Sequence, residues 1–243
     1  MKYASKTDIG QRKNNEDACR LPKANDAYPL IAVSDGMGGH AAGALASSLV
    51  MEGLSRELPS LSLSDHSSSV LKKAVQRVNV EIYRRSRGDP SLNGMGATLV
   101  CALLSTERFI AACVGDSRLY HFDGNTLTQI TCDHSFVEML VQSGQITREE
   151  AFTHPQRNLI TSAMGLSLRA DIDVFEHRWK EGDLLLLCSD GLHGCVKDEA
   201  LFSILMTDSS LEEKCTTMIE LALTQGGMDN VTVALARCEE DES

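Results

Sequence analysis

Antiparallel β-sheets covered by helices, an α+β arrangement, are what the sequence predicts, and two observations carry that expectation. Strands follow one another through a β-rich middle at 97–104, 109–114, 118–122 and 126–130, with turns such as Asp123-Gly124 suited to antiparallel hairpins. Helices come as a consecutive pair ahead of that stretch instead of alternating with strands, which argues against βαβ units.

Taken in order, a short strand opens the chain, and Leu30-Ile31-Ala32-Val33 reads as a buried strand ending at Ser34-Asp35-Gly36. A helix is expected over 41–58. Val70, Leu71, Ala74, Val75, Val78 and Ile82 fall on one stripe of a second helix. Past the hairpins, 135–165 turns irregular and partly helical. Ser135 to Glu138 and Thr147 to Glu150 both spell capping boxes there, and the segment is expected to form a flap. Strands return at 172–179 and 184–188, a helix opens at Ser209, and a strand over 231–236 completes the order. With no internal repeat and no Pro/Gly-rich linker in 243 residues, one domain spanning 1–243 is expected.

Bulk properties exclude several function classes. The formal net charge of -11 disfavours nucleic acid and anionic membrane surfaces, both of which attract basic patches. No apolar run approaches the roughly 20 residues that a bilayer span needs, so no membrane association is expected. Met1-Lys2-Tyr3 begins no apolar export signal, which makes a cytoplasmic location the default. The eight cysteines contain no C-x-x-C pair, and Cys101 and Cys188 lie inside apolar runs; reduced, buried cysteine is the expected state.

The chemistry is carried by acids. Asp35 and Asp190 end apolar strands, Asp116 follows Ala111-Ala112-Cys113-Val114-Gly115, and Asp229 immediately precedes Val231-Thr232-Val233. An ionised carboxylate drawn into a strand end costs several kcal/mol unless it is paired or metal-bound. One Asp-Gly is ordinary turn chemistry, but four such positions, with Glu16-Asp17 following Arg12, call for compensating cations. An all-oxygen donor set suits magnesium or manganese, whereas zinc would recruit histidine or cysteine.

At these residues the sequence resembles the metal-dependent protein phosphatase family, PPM or type 2C, and particularly its compact bacterial members. Five ordered stretches carry the likeness: Asp8-Ile9-Gly10-Gln11-Arg12 through Asn15-Glu16-Asp17, Ser34-Asp35-Gly36-Met37-Gly38-Gly39, Val114-Gly115-Asp116-Ser117-Arg118, Cys188-Ser189-Asp190-Gly191-Leu192, and Gly227-Met228-Asp229-Asn230-Val231-Thr232. The resemblance implies a four-layer αββα sandwich, two antiparallel sheets flanked by helix pairs, with two catalytic Mn2+ or Mg2+ ions and a weaker third in a cleft at one edge. It implies that Asp35 bridges two metals and that Asp190 and Asp229 complete the first site. The Gly36 carbonyl with Glu16 or Asp17 would serve the second, Asp116 with Asp190 the third, and Arg12 would bind substrate phosphate. The implied function is hydrolysis of phosphoserine and phosphothreonine in proteins by metal-activated water, opposing a serine/threonine kinase, by a monomer. A small-molecule phosphomonoesterase and a binding-only pseudophosphatase are the alternatives.

Three positions depart from the family pattern. Met37 stands where eukaryotic relatives have a histidine proposed as general acid, Ser162 where bacterial relatives commonly show arginine, and Ala44 where they often have glutamate. His40 and His154 are the histidines near enough in sequence to matter for proton delivery, although an isolated histidine more often serves structure. Other phosphatase chemistries fit less well. Cys113 to Arg118 is one residue short of C-x5-R, and Asp171-Ile172-Asp173-Val174 lacks the apolar strand that a nucleophilic aspartate of that motif would follow.

Overall fold

Residues 1–23, 26, 29–38, 41–60 and 68–239 are described by the structure, a computed structural model. Among them the strands are β1 (Lys2–Asp8), β2 (Asp17–Arg20), β3 (Leu30–Met37), β4 (Gly96–Ala97), β5 (Leu99–Leu104), β6 (Arg108–Val114), β7 (Arg118–Phe122), β8 (Leu127–Gln129), β9 (Asp173–Arg178), β10 (Leu184–Cys188) and β11 (Val231–Arg237). The helices are α1 (Ala41–Ser60), α2 (Ser68–Gly88), α3 (Phe136–Gln142), α4 (Arg148–Thr153), α5 (Asp190–His193), α6 (Asp198–Leu205) and α7 (Leu211–Thr224). No helix of the described residues is long and apolar enough to cross a membrane.

The period of two in the apolar runs decides the layers. Along β5 every residue is buried: Val100, Ala102 and Leu104 point into one apolar cluster, while Leu99, Cys101 and Leu103 point into another. The first cluster lies between two sheets, because Leu119, Leu185, Leu187, Ala234 and Ala236 enter it from the other side. The second is roofed by Leu49, Leu54, Leu71, Val75, Val78 and Ile82 of α1 and α2. On the far sheet, Leu186, Val233 and Leu235 turn outward against Leu201, Leu205, Cys215, Met218 and Ile219 of α6 and α7. Each fully buried aliphatic side chain contributes about 1.5–3 kcal/mol relative to exposure, so four stacked layers hold the fold without help from the polar residues of the cleft.

One sheet has the order β1-β11-β10-β7-β8 and the other β2-β3-β5-β6-β9, with β4 added to β3, and every pairing is antiparallel. The expected sandwich is therefore present, with one difference: three helices rather than a pair cover the second sheet. The Asp123-Gly124 turn is as expected, with Gly124 at φ +89 and Asp123 Oδ1 accepting from the Asn125 and Thr126 N–H groups.

Other local expectations need correction. Ser135 caps α3 by accepting from Glu138 N–H, but the reciprocal half of the box is replaced, since the Glu138 carboxylate accepts from Arg148 instead. Thr147 and Glu150 form both halves of theirs. The helix expected from Ser209 is capped by Ser210, whose box partner is Glu213. The eight cysteines are free, five of them buried.

Candidate metal centre

Backbone pairing sets the acids on a shared edge. Asp17 of β2 lies opposite Asp35 of β3, so Asp35 sits within its strand rather than just beyond it. Its N–H donates to Thr98 Oγ1 at 2.9 Å, and its carbonyl accepts from Thr98 N–H at 2.8 Å. Gly115, at φ +101, turns the chain after β6; a Cβ there would fall 2.8 Å from the Thr98 side chain, and this close approach places Asp116 beside the same edge. From the other sheet, Asp190 opens α5 instead of ending β10. A Cβ on Gly191 would lie 2.0 Å from the Asn230 carbonyl oxygen, so only glycine lets α5 press against the segment that carries Asp229.

Asn230 ties the first and last motifs together. Its Nδ2 donates to the carbonyls of Ile9 (2.9 Å) and Asn14 (3.0 Å), and its Oδ1 accepts from Glu16 N–H (2.8 Å). The result is a cleft of about 550 Å³ whose walls include Arg12, Glu16, Asp35, Gly36, Asp116, Asp190 and Asp229. Asp17 stands behind this lining. One of its oxygens accepts from Ser189 Oγ at 2.8 Å, and the other is buried with no partner.

Burial and mutual repulsion dominate the electrostatics. Desolvation, then the charges of Asp190, Asp17, Asp116 and Asp229, hold the Asp35 carboxyl well above the usual range. Asp116 is pushed up by desolvation and then by Asp190 and Asp133. Burial raises Asp17 to about 7 against the hydrogen bonds from Thr232 and Ser189. Asp190 rises to about 6 through burial and Asp229, with partial relief from a hydrogen bond to Asp35. Arg12 forms a direct ion pair with one of these acids: its Nη2 meets Asp229 Oδ2 at 2.8 Å, and its guanidinium holds its proton more firmly for it.

These residues fit hard divalent cations by their chemistry. The donors are oxygen throughout, and Asp17 Oδ1 and Asp190 Oδ1 are both buried without a hydrogen-bond partner, a state that is costly for a carboxylate unless a cation completes it. Among the described residues, no three acids, histidines or cysteines are gathered closely enough to chelate an ion as they stand.

Several neighbours were not foreseen. Asn158 and Ile160 join the cleft wall from the 135–165 segment, which returns to the sheet through the bridges Ser135↔Ile160 and Ala97↔Met164. His193 is buried beneath Asp116 and donates Nε2–H to its carbonyl at 2.9 Å; burial lowers its pKa to about 3, which keeps the ring neutral. Ser189 and Thr98, which position Asp17 and Asp35, carry no distinctive sequence signal beyond adjacency to the motifs. Met37 lines the cleft, as its position predicts. His154 is not brought there: it ends α4, accepts from Gln156 N–H through Nδ1 and packs its ring 6.2 Å from that of Phe136. His40 lies outside the described residues.

A doubly covered β-sandwich with a repelling cluster of buried acids at one edge defines a cation-dependent hydrolase. Comparison with known proteins places it more closely. The family described as Protein phosphatase 2C matches residues 6–230, and the chain belongs to that family. The serine/threonine phosphatase stp of Listeria welshimeri is 39% identical over 234 residues, covering 95% of this chain and 93% of that protein. The crystal structure of serine/threonine phosphatase Stp1 from Staphylococcus aureus superposes with a TM-score of 0.92 at 39% identity, over 98% of this chain and 95% of that one. The catalytic domain of serine/threonine protein phosphatase PstP, solved in complex with two manganese ions, gives a TM-score of 0.86 at 39% identity and covers 97% of both chains.

Proposed function

We propose that this chain hydrolyses phosphoserine and phosphothreonine in proteins by the metal-dependent route, and that its cleft acids are the metal ligands. One observation carries the reading: the cleft buries more negative charge than the chain itself balances, with two carboxylate oxygens left unpartnered. The names of the Listeria and Staphylococcus relatives and the manganese in the PstP structure support the substrate class and the metal.

In this reading Asp35, Asp190 and Asp229 would hold one ion, and Asp35 and the Gly36 carbonyl with Glu16 or Asp17 would hold the other. Asp116 with Asp190 would hold a weaker third. Of the two candidates beside Gly36, Glu16 reaches the cleft while Asp17 stands behind it, which favours Glu16 on the cleft side and Asp17 as a buried support. Bound there, manganese or magnesium would supply an activated water and neutralise charge on the transferring phosphoryl group. Arg12, more than half exposed beside Asp229, would give a planar two-point grip on phosphate oxygens. Met37 cannot deliver a proton to the leaving alkoxide, and no histidine stands among the described cleft residues.

A binding-only relative would be marked by lost ligands, and every acid of the set is present. The cellular setting completes the proposal: a cytoplasmic monomer reversing the work of a serine/threonine kinase.

Turnover of p-nitrophenyl phosphate is expected to depend on added Mn2+ or Mg2+ and to disappear in excess chelator. Undiminished turnover in metal-free buffer would overturn the assignment.

A further inference from the structure

We infer that His134 is the positioning residue that aims Asp116, and that it thereby sets how tightly the weakest of the proposed ions is held. The inference rests on the metal ligands proposed above and deepens that reading by naming the side chain behind one of them.

Asp116 follows a residue that cannot orient it unaided. Gly115, at φ +101, has no Cβ to limit its rotation, so the peptide ahead of Asp116 keeps one direction only if something holds it. His134 does so twice. Its backbone N–H donates to the Gly115 carbonyl at 2.9 Å, and its Nδ1 accepts from the Gly115 N–H at 3.3 Å. An amide N–H can only donate, so Nδ1 is bare and the ring hydrogen sits on Nε2. There it faces Asp173 Oδ2 at 3.1 Å, where β9 begins opposite Cys113. The carboxylate thus selects the tautomer that the Gly115 N–H requires.

The ring stands on fixed ground. Its side chain is 10% exposed, the preceding Asp133 is locked to Arg118, and the His134 carbonyl accepts from Thr161 N–H at 2.7 Å. With His193 on the Asp116 carbonyl, two imidazoles hold three backbone groups of the Gly115-Asp116 turn. A ring that only filled space would need neither the bare nitrogen nor the carboxylate. Groups that orient metal ligands are worth about 10–100-fold in metal affinity.

The test compares wild type, His134→Asn and His134→Gln. The Asn side chain puts its oxygen where Nδ1 stands, whereas that of Gln reaches toward Asp173 and offers Gly115 nothing. In the chelator-treated proteins, hydrogen exchange at the Gly115 amide, read by NMR, should be about tenfold faster in His134→Gln than in the other two. Mn2+ binding is then followed through the EPR signal of the free ion. Two ions should bind tightly to all three proteins, and the third should bind about tenfold more weakly to His134→Gln. Equal Mn2+ binding by wild type and His134→Gln would overturn the inference. A loss spread over every ion, or shared by His134→Asn, would overturn it too, since that marks a role in folding alone. One measurement needs no variant: the imidazole 15N shifts of wild type at about pH 8, where an ordinary imidazole is neutral, should show the hydrogen on Nε2, and a hydrogen on Nδ1 would overturn the link. Should wild type bind no third ion, the metal assignment of Asp116 fails instead, and Gly115 exchange still decides whether His134 holds the turn.

Discussion

Two regions of this molecule bury acids within the same sandwich, and they solve the problem in opposite ways. Around Arg118 the charges are balanced by the chain itself. Asp133 accepts from Arg118 Nε and Nη2 and from Gln129 Nε2, while Arg118 Nη1 reaches Tyr120 Oη, which in turn donates to Asp198. At the cleft edge Asp35, Asp116, Asp190 and Asp17 face one another, and Arg12 meets Asp229 alone. Burial is comparable, so burial does not make a site. A buried network whose partners are all internal is architecture, whereas one that leaves charge uncompensated is an invitation to something from outside.

The contrast can be broken by exchanging the logic of the two regions. The largest expected effect belongs to Asp35→Asn, which should lower turnover on the order of 10³-fold and yet leave the chelator-treated protein at least as resistant to heat, because one buried like charge is gone. Near-normal rates, or a fall in the metal-free Tm, would erase the distinction. Arg118→Met should do the reverse to stability: stranding Asp133 costs about 3–5 kcal/mol, read by urea unfolding of the metal-free protein. A loss below about 1 kcal/mol would mean that the paired region is not held by its pairing.

The smallest effect sharpens the comparison through pH. Asp190 at about 6 and Asp17 at about 7 lie above the unfolded value of roughly 3.9. Folding therefore takes up protons, and the stability this brings is complete below about pH 4 and lost as pH rises through 6 and 7. Each group adds at most about 1.4 kcal/mol per pH unit. The Tm of the metal-free protein should fall between pH 5 and 8, and Mn2+ should flatten that slope. A slope unaffected by Mn2+ would separate these protons from the ions.

What could be read beforehand follows the same division. The layers were legible because β5 and β6 are continuous apolar runs and α2 keeps one apolar stripe, signals that survive without tertiary context. β2 escaped notice, since Asp17-Ala18-Cys19-Arg20 is short and half-buried throughout and exists by pairing with β3. α6 was missed because Lys197 provides no side-chain cap. The acids were legible as a set through their glycine neighbours. Their division of labour was not: Glu16 in the wall and Asp17 behind it differ through pleat and packing, and adjacent residues in a sequence cannot show which of them turns inward.

The seven-residue pairing of β1 with β11 also has a consequence for biosynthesis. The second residue of the chain waits for Arg237 as its partner, and Glu16 waits for Asn230. A nascent or truncated chain lacking β11 has an unpaired edge strand, no Asp229 and no tie between the opening and closing motifs. A chain cut before Asp229 is therefore expected to lose turnover, since it would lack a proposed metal ligand as well as the strand that pairs with β1.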